Sequence, residues 1–187
     1  MLWLSEAEIV SELVNDRLVV WDIGASRRLY KMGYYGKPIG IPKPKGFDFD
    51  APLTLDLIEG LYLARQGIIR VVKGNKRIGP AALERIARRY HERFDLKYKV
   101  YENLRSKNYV VGPGIKFGCD FAVYEHGPGI DHAPFLIEVK EAGDHVTAAD
   151  LVRAGRLATT VKKRFVFSVV DKKTSSIHYL VSKWWKA

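Results

Sequence analysis

The chain has 187 residues, 47% of them hydrophobic and 28% charged, enough length for one domain or two small ones with buried cores. Lysine and arginine outnumber the acids 31 to 21, and this net charge of +10 points to a polyanionic partner, nucleic acid before an acidic membrane. One cysteine, Cys119, excludes an internal disulfide and any cysteine-rich zinc module. Acidic residues near the start, and no apolar run of membrane-spanning length, give the expectation of a cytoplasmic protein without a membrane partner.

Residues 1–92 read as a first module. "RLVVWD" (17–22) and "RRLYKM" (27–32) predict a hairpin of short strands separated by Gly24. "YYGKPIGIPKPKGFDFD" (34–50), broken by prolines and glycines and carrying lysines 37, 43 and 45, predicts a long loop. "TLDLIEGLYLARQG" predicts a helix with Thr54 as N-cap, Leu57, Ile58, Leu61 and Tyr62 as its apolar stripe, and Gly67 as its end. A strand over 68–74 follows. Pro80 then opens a second helix, with Leu83, Ile86, Ala87 and Tyr90 inward.

Residues 93–187 read as a second module. Leu96, Val100 and Leu104 keep helical spacing, with arginines and lysines on the other faces. Strands follow at "YVVG", "KFGCDFAVYE" and "APFLIEVK". In the second of these, the alternation puts Asp120 and Tyr124 on one face, opposite Phe117, Cys119, Phe121 and Val123. "AADLVRAGRLATTVKK" (148–163) predicts a helix with a broad apolar side that includes Leu151, Val152, Gly155, Leu157, Ala158 and Val161. Two closing strands, 164–171 and 176–185, complete a β-β-β-α-β-β order. The fold class is thus α/β (α+β): a small N-terminal α/β domain, then a domain built on a mixed sheet packed by helices.

Residues 117–140 admit two kinds of nuclease. Asp120 with Glu138 and Lys140 forms a D…ExK pattern, in which two carboxylates would hold a divalent metal and the lysine would assist the attacking water. Tyr124 and His132, joined by a lysine from the following helix, could instead cleave RNA without a metal. The 2′-hydroxyl would then attack its own phosphate, assisted by a base, an acid and a cation. Tyrosine, with a free pKa of about 10, makes a poor base unless cations surround it.

The stretch "YENLRSKNYVVGPGIKFGCDFAVYEHGPGIDHAPFLIEV" followed by "LVRAGRLATTVKKRFVFSVVD" closely resembles the archaeal tRNA-splicing endonucleases. The resemblance spans essentially all of residues 93–187, and "LTLDLIEGLYLARQG" is similar to that family's first domain. It implies a nuclease-like second domain with a catalytic triad of Tyr124 as general base, His132 as general acid and Lys163 as transition-state cation. His126 is a rival to His132 by chemistry, and Lys162 is the neighbour of Lys163 in the "VKK" pair.

The resemblance also implies precursor tRNA cut at bulge–helix–bulge sites, no cofactor or metal, and products ending in a 2′,3′-cyclic phosphate and a 5′-hydroxyl. One arginine of the family's base-gripping pair falls on Arg156, while His178 stands near where the second is expected. The loop "DKKTSS" is poor in the acids that homo-oligomeric members carry there. This implies a second, structural subunit in an α2β2 assembly of the crenarchaeal type, with this chain as the catalytic one. The 34–50 loop resembles that subgroup's insertion, and Lys43 and Lys45 are its expected RNA contacts. The other function classes are a metal-dependent DNA nuclease through Asp120, Glu138 and Lys140, and a non-catalytic RNA-binding subunit.

Overall fold

A computed structural model describes residues 8–42, 44–130 and 133–182. Its contacts divide the chain into two units, Met1–Phe94 and Asp95–Ala187. Among the described residues no helix is long and apolar enough to cross a membrane.

The first unit is built on a six-stranded mixed sheet. Strands β1 (Ile9–Val14) and β2 (Arg17–Val20) form a hairpin, followed by helix α1 (Ile23–Gly33), the two-residue strand β3 (Lys37–Pro38) and strand β4 (Leu53–Asp56). Helix α2 (Leu57–Arg65), strands β5 (Ile69–Lys73) and β6 (Lys76–Ile78), and helix α3 (Pro80–Tyr90) complete it. The sheet order is β3-β4-β2-β1-β5-β6, with only β1–β5 parallel. Helix α2 packs so closely on β2 that a Cβ at Gly60 would run into the Leu18 side chain. Both residues therefore sit in the core for steric as much as for hydrophobic reasons.

Three expectations for this unit need correction. Residues 27–32 are not a strand but the body of α1. Asp22 caps that helix by accepting the Ala25 amide at 2.5 Å, and Ala25, Ser26, Leu29 and Tyr30 form its buried i, i+1, i+4, i+5 face. The cap of α2 is Asp56, which accepts the Ile58 amide at 2.9 Å, because Thr54 is still in β4 opposite Val19. Tyr90, at the last turn of α3, is 55% exposed rather than inward. Among its described residues the 34–50 segment is irregular apart from β3, but its 47–49 end is tied down. Phe47 and Phe49 pack on Tyr30, and Arg27 donates to the Phe49 carbonyl at 2.7 Å and pairs with Asp48 at 2.9 Å.

The second unit begins with helix α4 (Phe94–Ser106), in which Leu96, Val100 and Leu104 are buried. Strand β7 (Val110–Pro113), a 3₁₀ turn (Ile115–Phe117), and strands β8 (Phe121–Tyr124) and β9 (Phe135–Glu141) follow. Helix α5 (Ala148–Thr160) then crosses to β10 (Arg164–Val170), and β11 (Ile177–Ser182) closes the sheet. The order is β11-β10-β9-β8-β7, with β9 and β10 parallel and the other pairs antiparallel. A capping box between Thr147 and Asp150 starts α5.

Both faces of this sheet are covered. On one, Ala122, Leu136, Phe165 and Phe167 meet Ala154 and Ala158 of α5. On the other, Phe121 meets Tyr101 of α4, and Tyr179 donates to Asn103 of α4 at 2.8 Å. The expected long strand over 116–125 is shorter than its alternation suggested. Gly118 at φ +66 ends the 3₁₀ turn, so Phe117, Cys119 and Asp120 precede β8 rather than lie in it. Leu151 and Val152 of α5 are each 50% exposed, because the small residues Ala154, Gly155 and Ala158 make the close contact with the sheet.

Candidate active site

The strand register gathers two of the three expected catalytic residues. Val123 of β8 pairs with Phe135 of β9, and Phe135 pairs with Arg164 of β10, so the three form one row across the sheet. Tyr124 lies one step past this row in β8, and Lys163 one step before it ahead of β10. Both steps lead off the same end of the sheet. By alternation both residues fall on the face that α5 covers, with Cα atoms about two strand spacings, roughly 10 Å, apart. Tyr124 is partly buried against the Ala122–Leu136–Phe165 cluster. His132, the expected acid, lies outside the described residues, as does Lys43.

Lys163 is positioned by the end of α5. The helix closes with Lys162 in the left-handed region at φ 53, Lys162 N–H donating to the Thr159 carbonyl at 3.2 Å, and Lys163 N–H donating to the Ala158 carbonyl at 2.9 Å. This pairing is a Schellman motif, usually made with glycine where Lys162 stands. The half-buried Lys163 then reaches back across the sheet end. Its Nζ donates to the Ala133 carbonyl at 2.6 Å and lies 5.6 Å from the centroid of the Phe117 ring. Ala133 is the residue that follows His132 in the chain, and it is 2% exposed. Neither Phe117 nor the Ala133 carbonyl was singled out from the sequence. Glycines 114 and 118 around Phe117 were the available sign of a turn, and a backbone carbonyl leaves no side-chain signal.

The other expected residues are placed as follows. Arg156 is exposed on α5, and Lys45 is exposed in the loop of the first unit. His126 is exposed two residues past Tyr124, Lys162 is exposed beside Lys163, and His178 is exposed with its Nε2 at 3.0 Å from Ser176 Oγ.

The D…ExK residues have other partners. Asp120 accepts the Val139 amide at 2.7 Å and pairs with Lys97 of α4 at 2.9 Å. Glu138 pairs with Lys140 at 2.7 Å and with Arg153 of α5 at 3.0 Å. These carboxylates are thus committed to tying helices and strands together. Among the described residues, no group of three or more His, Cys, Asp or Glu side chains is disposed to hold a metal ion. Cys119 is buried, and burial pushes its thiol up to about 11.

The second unit is thus a mixed sheet covered by helices, with Tyr124 and Lys163 at one end, in a chain of net charge +10. The catalytic C-terminal domain of the tRNA intron endonucleases matches residues 94–179, and the N-terminal domain of the same enzymes matches residues 9–84. The chain belongs to the tRNA intron endonuclease family. It is 46% identical to a tRNA-splicing endonuclease of Hyperthermus butylicus over 175 residues, covering 93% of this chain and 97% of that protein. A tRNA-splicing endonuclease of Sulfurisphaera tokodaii is 40% identical over 95% of this chain and 99% of its own length. One from Saccharolobus solfataricus is 43% identical over 93% and 97%.

Proposed function

We propose that the second unit excises introns from precursor tRNA at bulge–helix–bulge sites, without a metal, by attack of a 2′-hydroxyl on the adjacent phosphate. Tyr124 takes the proton of the 2′-oxygen, His132 protonates the departing 5′-oxygen, and Lys163 stabilises the charge of the phosphorane. The phosphorus–5′-oxygen bond breaks as the 2′-oxygen bond forms, leaving a 2′,3′-cyclic phosphate and a 5′-hydroxyl. The observation that carries this reading is the Lys163 ammonium. It is held at 2.6 Å on the carbonyl of the residue after His132, at the sheet end where β8 finishes with Tyr124.

In the same reading, Arg156 grips a bulged base by stacking, and Lys43 and Lys45 of the 34–50 loop contact the RNA backbone. A second, structural subunit completes an α2β2 assembly. Asp171, the one acid of the loop between β10 and β11, supports this. Its carboxylate accepts the Lys173 and Thr174 amides at 2.7 and 3.3 Å, and these bonds lower its pKa. An acid turned onto its own loop is a poor plug for a neighbouring basic pocket.

The test is single-turnover cleavage of an intron-containing precursor, with the candidate structural subunit co-expressed. Tyr124→Phe, His132→Ala and Lys163→Ala are each expected to slow cleavage at least ~10²-fold with RNA binding retained. Wild-type rates for these variants would remove the triad from the mechanism.

A further inference from the structure

Phe117 stands in a place that the triad does not account for. It ends a single 3₁₀ turn, with its amide donating to the Gly114 carbonyl at 2.8 Å. That turn is sterically fixed, because a Cβ at Gly114 would come within 2.6 Å of the Cys119 carbonyl oxygen and Sγ and within 2.7 Å of the Phe121 nitrogen. The Phe117 ring is partly buried against the cluster under α5 and lies 5.6 Å from Lys163 Nζ. The ammonium thus has a carbonyl at 2.6 Å and an aromatic ring as two of its supports, and these come from different segments of the chain.

A ring face attracts a cation through its quadrupole but carries no net charge, so it restrains an ammonium while leaving its positive charge available to a phosphate. A long, flexible lysine side chain otherwise has to be ordered during the reaction, at a cost in entropy. From this geometry we infer that Phe117 is a positioning residue for RNA cleavage, holding the Lys163 ammonium where phosphorane charge develops. The inference rests on the reading of Lys163 as the transition-state cation.

The experiment is a double-mutant cycle in single-turnover cleavage, measuring maximal rate and half-saturating concentration separately. Phe117→Leu keeps an apolar side chain on the cluster without a ring, and Phe117→Tyr restores the ring. The Leu change is expected to lower the maximal rate roughly 5- to 10-fold with half-saturation nearly unchanged. The Tyr variant should cleave near the wild-type rate, and Phe117→Leu should add no further loss in a Lys163→Ala background. Phe117→Met serves the same purpose should the Leu variant not fold. If Lys163→Ala is slow but Phe117→Leu is at wild-type rate, or costs the same factor with and without Lys163, the role of Phe117 is overturned and that of Lys163 stands. Wild-type cleavage by Lys163→Ala overturns both.

Discussion

The Asp120 carboxylate accepts the Val139 amide at 2.7 Å and meets the Lys97 ammonium at 2.9 Å, so one side chain joins α4, the turn before β8 and the middle of β9. Strand β9 outruns β8, and Asp120 replaces the missing backbone partner of Val139. Asp120→Ala leaves a backbone amide and a partly buried lysine without this partner. The expected cost is about 2–3 kcal/mol, read by denaturant unfolding, whereas cleavage by the remaining folded protein should be insensitive to added magnesium. A variant that keeps its stability but loses a magnesium-dependent activity would return Asp120 to the metal reading.

The two lysines that end α5 have opposite expectations. Lys162 occupies the left-handed position of the Schellman motif at φ 53, which glycine adopts without strain. Lys162→Gly should therefore leave cleavage near wild type and raise stability by a few tenths to about 1 kcal/mol. Lys163→Ala should fold normally and cleave slowly. Thermal melts and single-turnover rates on the two variants separate the roles, and a slow Lys162→Gly with an active Lys163→Ala would exchange them.

The 47–49 end of the 34–50 loop is tied down by contacts of Phe47 and Phe49 with Arg27 and Tyr30, and Lys45 beside it is exposed. Replacing Lys43 and Lys45 together by Ala should weaken precursor binding and reduce the slope of log affinity against log salt by about 1–2. Unchanged affinity and slope would show that the loop does not touch phosphate.

Two weak acids, the buried Cys119 and the half-buried Tyr179, set an alkaline limit. Burial pushes the Cys119 thiol up to about 11 and the Tyr179 phenol up to about 12, from ordinary values of 9.0 and 10.0. The folded state thus holds these protons more tightly than the unfolded chain. Their contribution is complete below pH about 9 and is lost as the pH rises through the window from about 9 to about 12. Melting temperature should fall across that window, less steeply in Tyr179→Phe. Cys119 should react with a thiol reagent at pH 8 only after unfolding, since desolvation suppresses its thiolate.

Much of this fold is legible in the chain because its signals are local. Pro80 opens α3, and Leu96, Val100 and Leu104 write one face of α4 at helical spacing. The misread elements depended on longer range. "RRLYKM" looks like a strand until Asp22, five residues before Arg27, caps a helix whose buried face includes Ser26, Leu29 and Tyr30. The alternation of Phe117, Cys119 and Phe121 does not survive folding, because Gly118 at φ +66 makes a 3₁₀ turn before a short strand. Phe117 and Cys119 join Tyr124 in the cluster under α5, while Phe121 and Asp120 meet Tyr101 and Lys97 of α4. Tyr124 stands in one of two candidate sets that residues 117–140 offer, and only the family resemblance singles out Lys163. Their approach at one sheet end follows from the antiparallel β8–β9 and parallel β9–β10 pairings, which no short motif encodes.

In the proposed reaction the 2′-hydroxyl of the substrate, not a metal-activated water, attacks the scissile phosphate. The direct measurement is cleavage in excess EDTA of two precursors, one all-ribose and one with a single 2′-deoxy nucleotide at the scissile site. The expected result is cleavage of the first, with a 2′,3′-cyclic phosphate at the new end, and none of the second at that bond. Loss of cleavage in EDTA, or cutting of the deoxy substrate at the same bond, would contradict it.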